Sequence, residues 1–377
     1  MKRLTTLASI AGLCTVVGLF ASSGLEDVSA AVASAGWGAL LVVLARIVAV
    51  AWAGLGWYVV FPKAPTPLLR DCISLRFVRE GINTLLPVAT VGGDFVGARL
   101  LAKRGVSGAL AGASMFVDLM TQAVTQLVFT VLGLGLLIWL VGDGPVARTV
   151  SGGVALAVPA LAAFYLIQRR AGHRVIQALV NRFASGREWR ALGAVDQLYD
   201  GLRRLYGAPG RVFAAIVVHF GGWIIGTLEV YLCLHFMGYP VDFMQALVIE
   251  SLAQAVRGAA FAVPGALGAQ EGGLIALCGL FGIPAEAALA LSLVKRFADL
   301  GVGLPSLLLW HRTEAAIRAK GEEETEEAEA ESDPDGAIRF SRRPKPTTHA
   351  ATLGPFYSYA PPRMGARLDE KDLKKCA

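Results

Sequence analysis

The chain has 377 residues; 55% are hydrophobic, only 17% are charged, and the mean hydropathy is +0.55. Soluble domains carry about 25% charged residues, so a soluble fold is excluded, and the period-2 alternation of an outer-membrane barrel is missing. The net charge of +6 is concentrated in loops between apolar runs, which makes it a topology signal and not a nucleic-acid footprint. The expected fold class is therefore an all-α integral membrane protein, a polytopic helical bundle.

Met1, Lys2 and Arg3 precede an apolar run over 7–21. A signal peptide begins the same way, but no clear A-x-A site ends the run and more spans follow, which favours a retained first helix. A second span is expected over 37–61. The loop between the two carries Glu26 and Asp27 and no basic residue, which places it outside, while Lys63, Arg70, Arg76 and Arg79 place the next loop in the cytoplasm.

The segment 81–101 is broken by Pro87 and by Gly92 and Gly93. Proline removes a helical hydrogen bond and glycine weakens the helix. Both ends of the segment are basic, so a hairpin re-entrant from the cytoplasm is expected. The run 107–141 is long for one span, which needs about 20 residues; one crossing keeps the loop charges consistent. A further span over 146–167 leads back to the cytoplasm.

The stretch 168–211 holds nine arginines against Glu188, Asp196 and Asp200. It reads as a cytoplasmic basic loop whose short helices lie on an anionic membrane surface. A span over 212–237 leads out. A second broken segment lies within 243–281, with Pro264, Gly265 and Gly268, and a last span over 285–310 returns to the cytoplasm. The second break would then open to the opposite face from the first, giving two broken or re-entrant segments in an inverted repeat. From 311 to 377 the chain is polar, with nine acidic residues over 322–335, and composition predicts a disordered cytoplasmic tail. The domain division is thus a transmembrane domain over 1–310 and a tail over 311–377, with both termini cytoplasmic.

Charges at membrane depth cost about 2.5–3.5 kcal/mol each even on lenient scales, so their arrangement is informative. Ser114, Asp118, Gln122 and Thr125 share one helical face, and Glu250, Gln254 and Arg257 share another. Each stripe reads either as an interhelical hydrogen-bond seam or as part of a site. Arg46 and Glu229 stand apart, consistent with an interhelical ion pair. Lys295 and Asp299 are i,i+4 neighbours expected to neutralise one another, which leaves Arg296 over. His219 and His235 are expected to cap or pack.

Unwound backbone at Pro87 and Pro264 must line a polar cavity or be covered by protein, and half-helix N-termini after such breaks favour anions. The candidate headgroup-binding residues are Arg79, Arg257, Asn83 and Gln254, with the arginines suited to a phosphate. Glu80, Asp94, Asp118, Glu250 and Glu271 are candidates for setting charge or for ion coupling. Pro87, Gly92, Gly93, Pro264, Gly265 and Gly268 shape the breaks. The five cysteines are scattered without a CxxC, so neither a disulfide framework nor a metal site is expected, and no cofactor is indicated.

The run Arg79-Glu80-Gly81-Ile82-Asn83-Thr84-Leu85-Leu86-Pro87, followed by Gly92-Gly93-Asp94 and Arg99, resembles the first signature of the lysylphosphatidylglycerol synthase transmembrane-region family. Pro264-Gly265-Ala266-Leu267-Gly268-Ala269-Gln270-Glu271-Gly272 resembles its second. The resemblance covers roughly residues 5 to 310, and it implies a multi-pass protein of the bacterial inner membrane with a flippase-like domain. It also implies a membrane lipid as partner: an anionic or aminoacylated phospholipid, or a hopanoid, since the wording RFVREGINTLLP is similar to the branch associated with hopanoid-biosynthesis loci. The soluble aminoacyl-transferring domain of the synthases has no counterpart after Trp310, so synthase activity is not expected.

Two further functional classes compete with a translocator. A membrane enzyme would need a nucleophile or metal set, and no HExxH or GxSxG run is present. A non-transporting accessory of a lipid-biosynthesis complex would use the basic loop and tail to recruit enzymes; a homo-oligomer is compatible with either reading. No GxxxxGK[ST] run occurs, so a translocator here is not expected to be ATP-driven.

Overall fold

The computed structural model describes residues 25–62, 67–86, 92–169, 189–260 and 263–332. Among these there are eleven α-helices, one short 3₁₀ turn and no strand. The expected first span over 7–21 and Pro87 lie outside the described residues.

Helix α1 covers Leu25–Ala35 and α2 covers Gly38–Val60. Helices α3 (Leu69–Leu85) and α4 (Gly92–Lys103) flank the first break. Helix α5 runs without interruption over Gly108–Val141, so the long apolar run is one helix. Its N-terminus is set by Ser107, whose Oγ accepts from the Leu110 amide. At 1.5 Å per residue it is about 51 Å long, more than the ~30 Å hydrocarbon core. Helix α6 (Pro145–Ile167) buries only Ala147 and leaves its apolar surface open on the bundle's outside, as a lipid-facing helix does.

Helix α7 (Trp189–Tyr206) lies in the basic loop. Its buried residues Tyr199, Leu202 and Leu205 share a core with Leu110, Ala113 and Val117 of α5. This apolar face packs against protein, and 170–188 of the loop lie outside the described residues. Helix α8 (Pro209–Phe236) crosses back. Helix α9 (Phe243–Ala259) opens with a capping box between Asp242 and Gln245. The 3₁₀ turn Pro264–Ala266 and α10 (Ala269–Gly279) form the second break. Helix α11 runs over Ala285–Ser332, so the expected tail is helical as far as Ser332. Its Ala, Glu, Lys and Arg content favours helix.

Among the described residues four helices, α2, α5, α6 and α8, are long and apolar enough to cross a membrane. Helix α11 holds Lys295, Arg296 and Asp299 in the stretch expected to span, and each is paired inside the protein. The chain is an all-α, multi-pass membrane protein. In both broken segments the two flanking helices pack on one another: α3 against α4, and α9 against α10.

Candidate functional site

Helix α3 divides its residues by helical face. Cys72, Leu75, Val78, Arg79 and Ile82 point into protein, while Arg76, Glu80, Asn83 and Thr84 line an open cavity. One residue is a 100° turn, so Arg79 and Glu80 face different surroundings although they are neighbours.

Arg79 is 1% exposed. Its Nε donates to Asp94 Oδ1 at 2.7 Å, and its Nη2 sits 2.5 Å from the same oxygen and 2.7 Å from Asp118 Oδ2. The guanidinium also lies 4.6 Å from the Trp57 ring centre, a cation–π distance. Asp118 collects further partners: Gln122 Nε2 donates to Oδ2 at 2.8 Å, and His219 Nε2 is 2.9 Å from Oδ1. Asn83 donates to Asp94 Oδ2 at 3.0 Å and accepts from the Gly93 amide at 2.7 Å. These bonds tie α3, α4, α5 and α8 into one buried network. Gly93 is required for it, because a Cβ there would sit 2.3 Å from the Arg79 carbonyl oxygen.

A second network joins α2, α8, α9 and α11. Lys295 Nζ donates to Glu250 at 2.8 Å and to Glu229 at 3.2 Å. Arg46 lies 2.9 Å from Glu229 and 3.3 Å from Asp299. Gln254 donates to Glu250 at 2.8 Å. The i,i+4 neutralisation expected between Lys295 and Asp299 is corrected: each pairs across helices, because their side chains face different neighbours. The expected ion pair of Arg46 with Glu229 is present.

The second break is braced separately. Glu271 Oε2 accepts from the Gly268 amide at 2.8 Å, capping α10, while its Oε1 accepts from Ser292 and from Arg296, at 2.9 and 2.6 Å. Gly265 and Gly268 have φ of +63° and +80°, the left-handed region that glycine adopts without strain. Arg296, left over in the sequence reading, is the partner that holds this turn.

Between the two networks lies a cavity of about 320 Å³. Its walls come from α2, α3, α4, α5, α8 and α9, so both halves of the chain contribute. Most charges on it are locked. Three are held loosely: Arg76, 3.6 Å from Glu80 and 3.8 Å from Asp118; Glu80 itself; and Arg257, 3.5 Å from Asp299, with about a quarter of the Glu80 and Arg257 side chains exposed. Buried Nε atoms of Arg46 and Arg76 have no hydrogen-bond partner.

A family model described as Lysylphosphatidylglycerol synthase TM region matches residues 7–305. The chain belongs to this family. No curated protein and no solved structure matches it. The lysylphosphatidylglycerol synthase TM region spans every helix described above as far as the middle of α11, both breaks included. Membership makes this a multi-pass membrane protein of a family tied to lipid metabolism.

The candidate residues named from sequence in this family member divide into three places. Asn83, Gln254, Arg257, Glu80, Asp94 and Glu250 line the cavity. Arg79 and Asp118 lie behind its wall in the buried network, and Glu271, Gly265 and Gly268 belong to the brace at the second break. Gly92 starts α4 and Gly93 closes on α3. Arg76 and His219 reach the cavity without having been singled out. Arg76 was legible as the i−4 partner of Glu80. His219 stands ten residues before Glu229 on α8, about 80° round the helix from it, so helical spacing alone did not place it at the site.

Proposed function

We propose that this protein moves a membrane lipid between the leaflets of the bacterial inner membrane, passing the polar headgroup through the cavity while the apolar part stays in lipid. One observation carries the reading: a polar cavity at the meeting of two broken helical segments, with one loosely held anion from the first half, Glu80, and one loosely held cation from the second, Arg257. Broken helices around a central polar site are how many transporters present a binding site to either face in turn. Arg257 takes a headgroup phosphate and Glu80 takes a headgroup cation. The cargo is a phospholipid, its aminoacyl form or a hopanoid, and the motion is not ATP-driven. The protein is a carrier and not an enzyme.

The test is transfer of fluorescent phosphatidylglycerol, aminoacyl phosphatidylglycerol and hopanoid in proteoliposomes holding the full chain. Transfer that Arg257→Ala removes, in a protein that melts like the intact one, supports the reading. A well-folded chain that moves none of these lipids sinks it and leaves an accessory role in lipid biosynthesis, which partner capture on the intact protein would then address.

A further inference from the structure

The membrane-depth charges do not balance. In the second network Arg46, Lys295 and Arg257 face Glu229, Glu250 and Asp299, three against three. Arg296 and Glu271 form a neutral pair. In the first network Arg76 and Arg79 face three carboxylates, Glu80, Asp94 and Asp118. Among the described residues of these networks one negative charge is therefore in excess, and the surplus carboxylate is counted with the first network. The most loosely paired of these carboxylates, Glu80, lines the open cavity with about a quarter of its side chain exposed, so the cavity has room for one more positive charge beside it.

One group in the network can supply it. His219 of α8 is 4% exposed, lines the cavity, and has Nε2 2.9 Å from Asp118 Oδ1. Histidine is the side chain whose charge ordinarily changes near neutral pH. Charged groups face it from several helices. Asp118 comes from α5, and Arg76, Arg79 and Glu80 come from α3. Asp94 comes from α4; α2 brings the Gly56 backbone, where a Cβ would lie 2.6 Å from His219 Cε1, and Arg46 on the same cavity; and α9 brings Glu250 and Arg257 to it. The two arginines are already shared among the carboxylates, so a proton on His219 brings the network to neutrality.

We propose that His219 carries this proton when the cavity is empty, and that a cationic lipid headgroup entering beside Glu80 displaces it, so that the carrier exchanges a proton for a positively charged lipid. This rests on the translocation reading above and adds the coupled ion. The exchange balances: the headgroup ammonium brings one positive charge in, the imidazolium releases one proton to the water at the open face, and the reverse follows at the other face. Two positive charges within one cavity of about 320 Å³ repel one another, which makes the two occupants exclusive. A zwitterionic headgroup adds no net charge and leaves the proton in place.

The experiment follows lipid and proton together. Proteoliposomes containing the full chain enclose a pH dye, and acyl-labelled lysylphosphatidylglycerol or phosphatidylethanolamine is added outside. Inward movement of the cationic lipid is expected to make the lumen more alkaline in proportion to the lipid moved. The zwitterionic lipid gives no such change, and in His219→Gln the proton-to-lipid ratio falls to zero. Cationic lipid crossing without a proton, or an unchanged ratio in His219→Gln, overturns the proposal while leaving the translocation reading intact. No lipid crossing at all counts against translocation alone, and the charge on His219 is then decided by ¹⁵N-histidine NMR of the intact protein in nanodiscs. An imidazolium that turns neutral when lysylphosphatidylglycerol is added is the expected result; a neutral ring throughout overturns the proposal.

Discussion

Asp118 of α5 holds Arg79 of α3 at 2.7 Å, with both side chains almost wholly removed from solvent. This bond fixes the helix before the first break to the longest helix of the bundle, and it withdraws Arg79 from the cavity that its neighbour Glu80 lines. Removing one partner of a buried pair leaves an uncompensated charge and costs about 3–5 kcal/mol. Asp118→Ala is therefore expected to lower the melting temperature sharply, measured in detergent or nanodiscs. A melting curve that matches the intact protein would contradict the buried network.

Arg79 and Arg257 should separate by what they damage. Arg79→Ala takes a guanidinium from between two carboxylates and is expected to unfold or loosen the bundle. Arg257→Ala takes a side chain whose ion-pair partner among the described residues, Asp299, lies 3.5 Å away, so the change in stability is expected to stay below about 1 kcal/mol while lipid movement falls. Melting and transfer assays on the two variants make the comparison; equal loss of stability in both would place Arg257 in the scaffold.

Lys295 serves two carboxylates at once, Glu229 and Glu250. Lys295→Met should destabilise by several kcal/mol, in the range of about 3–5 for a broken buried pair. Adding Glu250→Gln to it should recover part of the loss, because the second change removes one of the two stranded charges. A double-mutant cycle read by thermal melting tests this, and strict additivity would show that the residues do not interact.

Gly93→Ala is expected to push α4 away from α3, because its Cβ would meet the Arg79 carbonyl oxygen at 2.3 Å. Gly108→Ala, at the start of α5, meets no atom within 4 Å and should stay within about 0.5 kcal/mol of the intact protein. Comparing their melting temperatures separates a glycine needed for close approach from one that is not.

The sequence by itself determined the class, the long apolar helices and the breaks, but not α1 or α3, whose residues read as loops. Apolar runs of membrane length need no partner to be recognised, since each satisfies its own backbone hydrogen bonds. The glycines of Gly265 and Gly268 marked a turn because backbone conformation is a local property. The charged residues at membrane depth were equally plain, because nothing local excuses their cost. Which charge meets which was a different matter. Lys295 and Asp299 look like partners along α11, yet Lys295 turns to Glu229 and Glu250 while Asp299 turns to Arg46 and Arg257. Arg79 looked like the headgroup arginine of α3, yet the face of the helix that meets α4 and α5 holds Arg79, and the face that meets the cavity holds Arg76 and Glu80. Ion pairing between helices depends on how the helices are rotated and packed, which is long-range information. Only the tertiary structure could therefore set His219 against Asp118 and leave the first network one positive charge short.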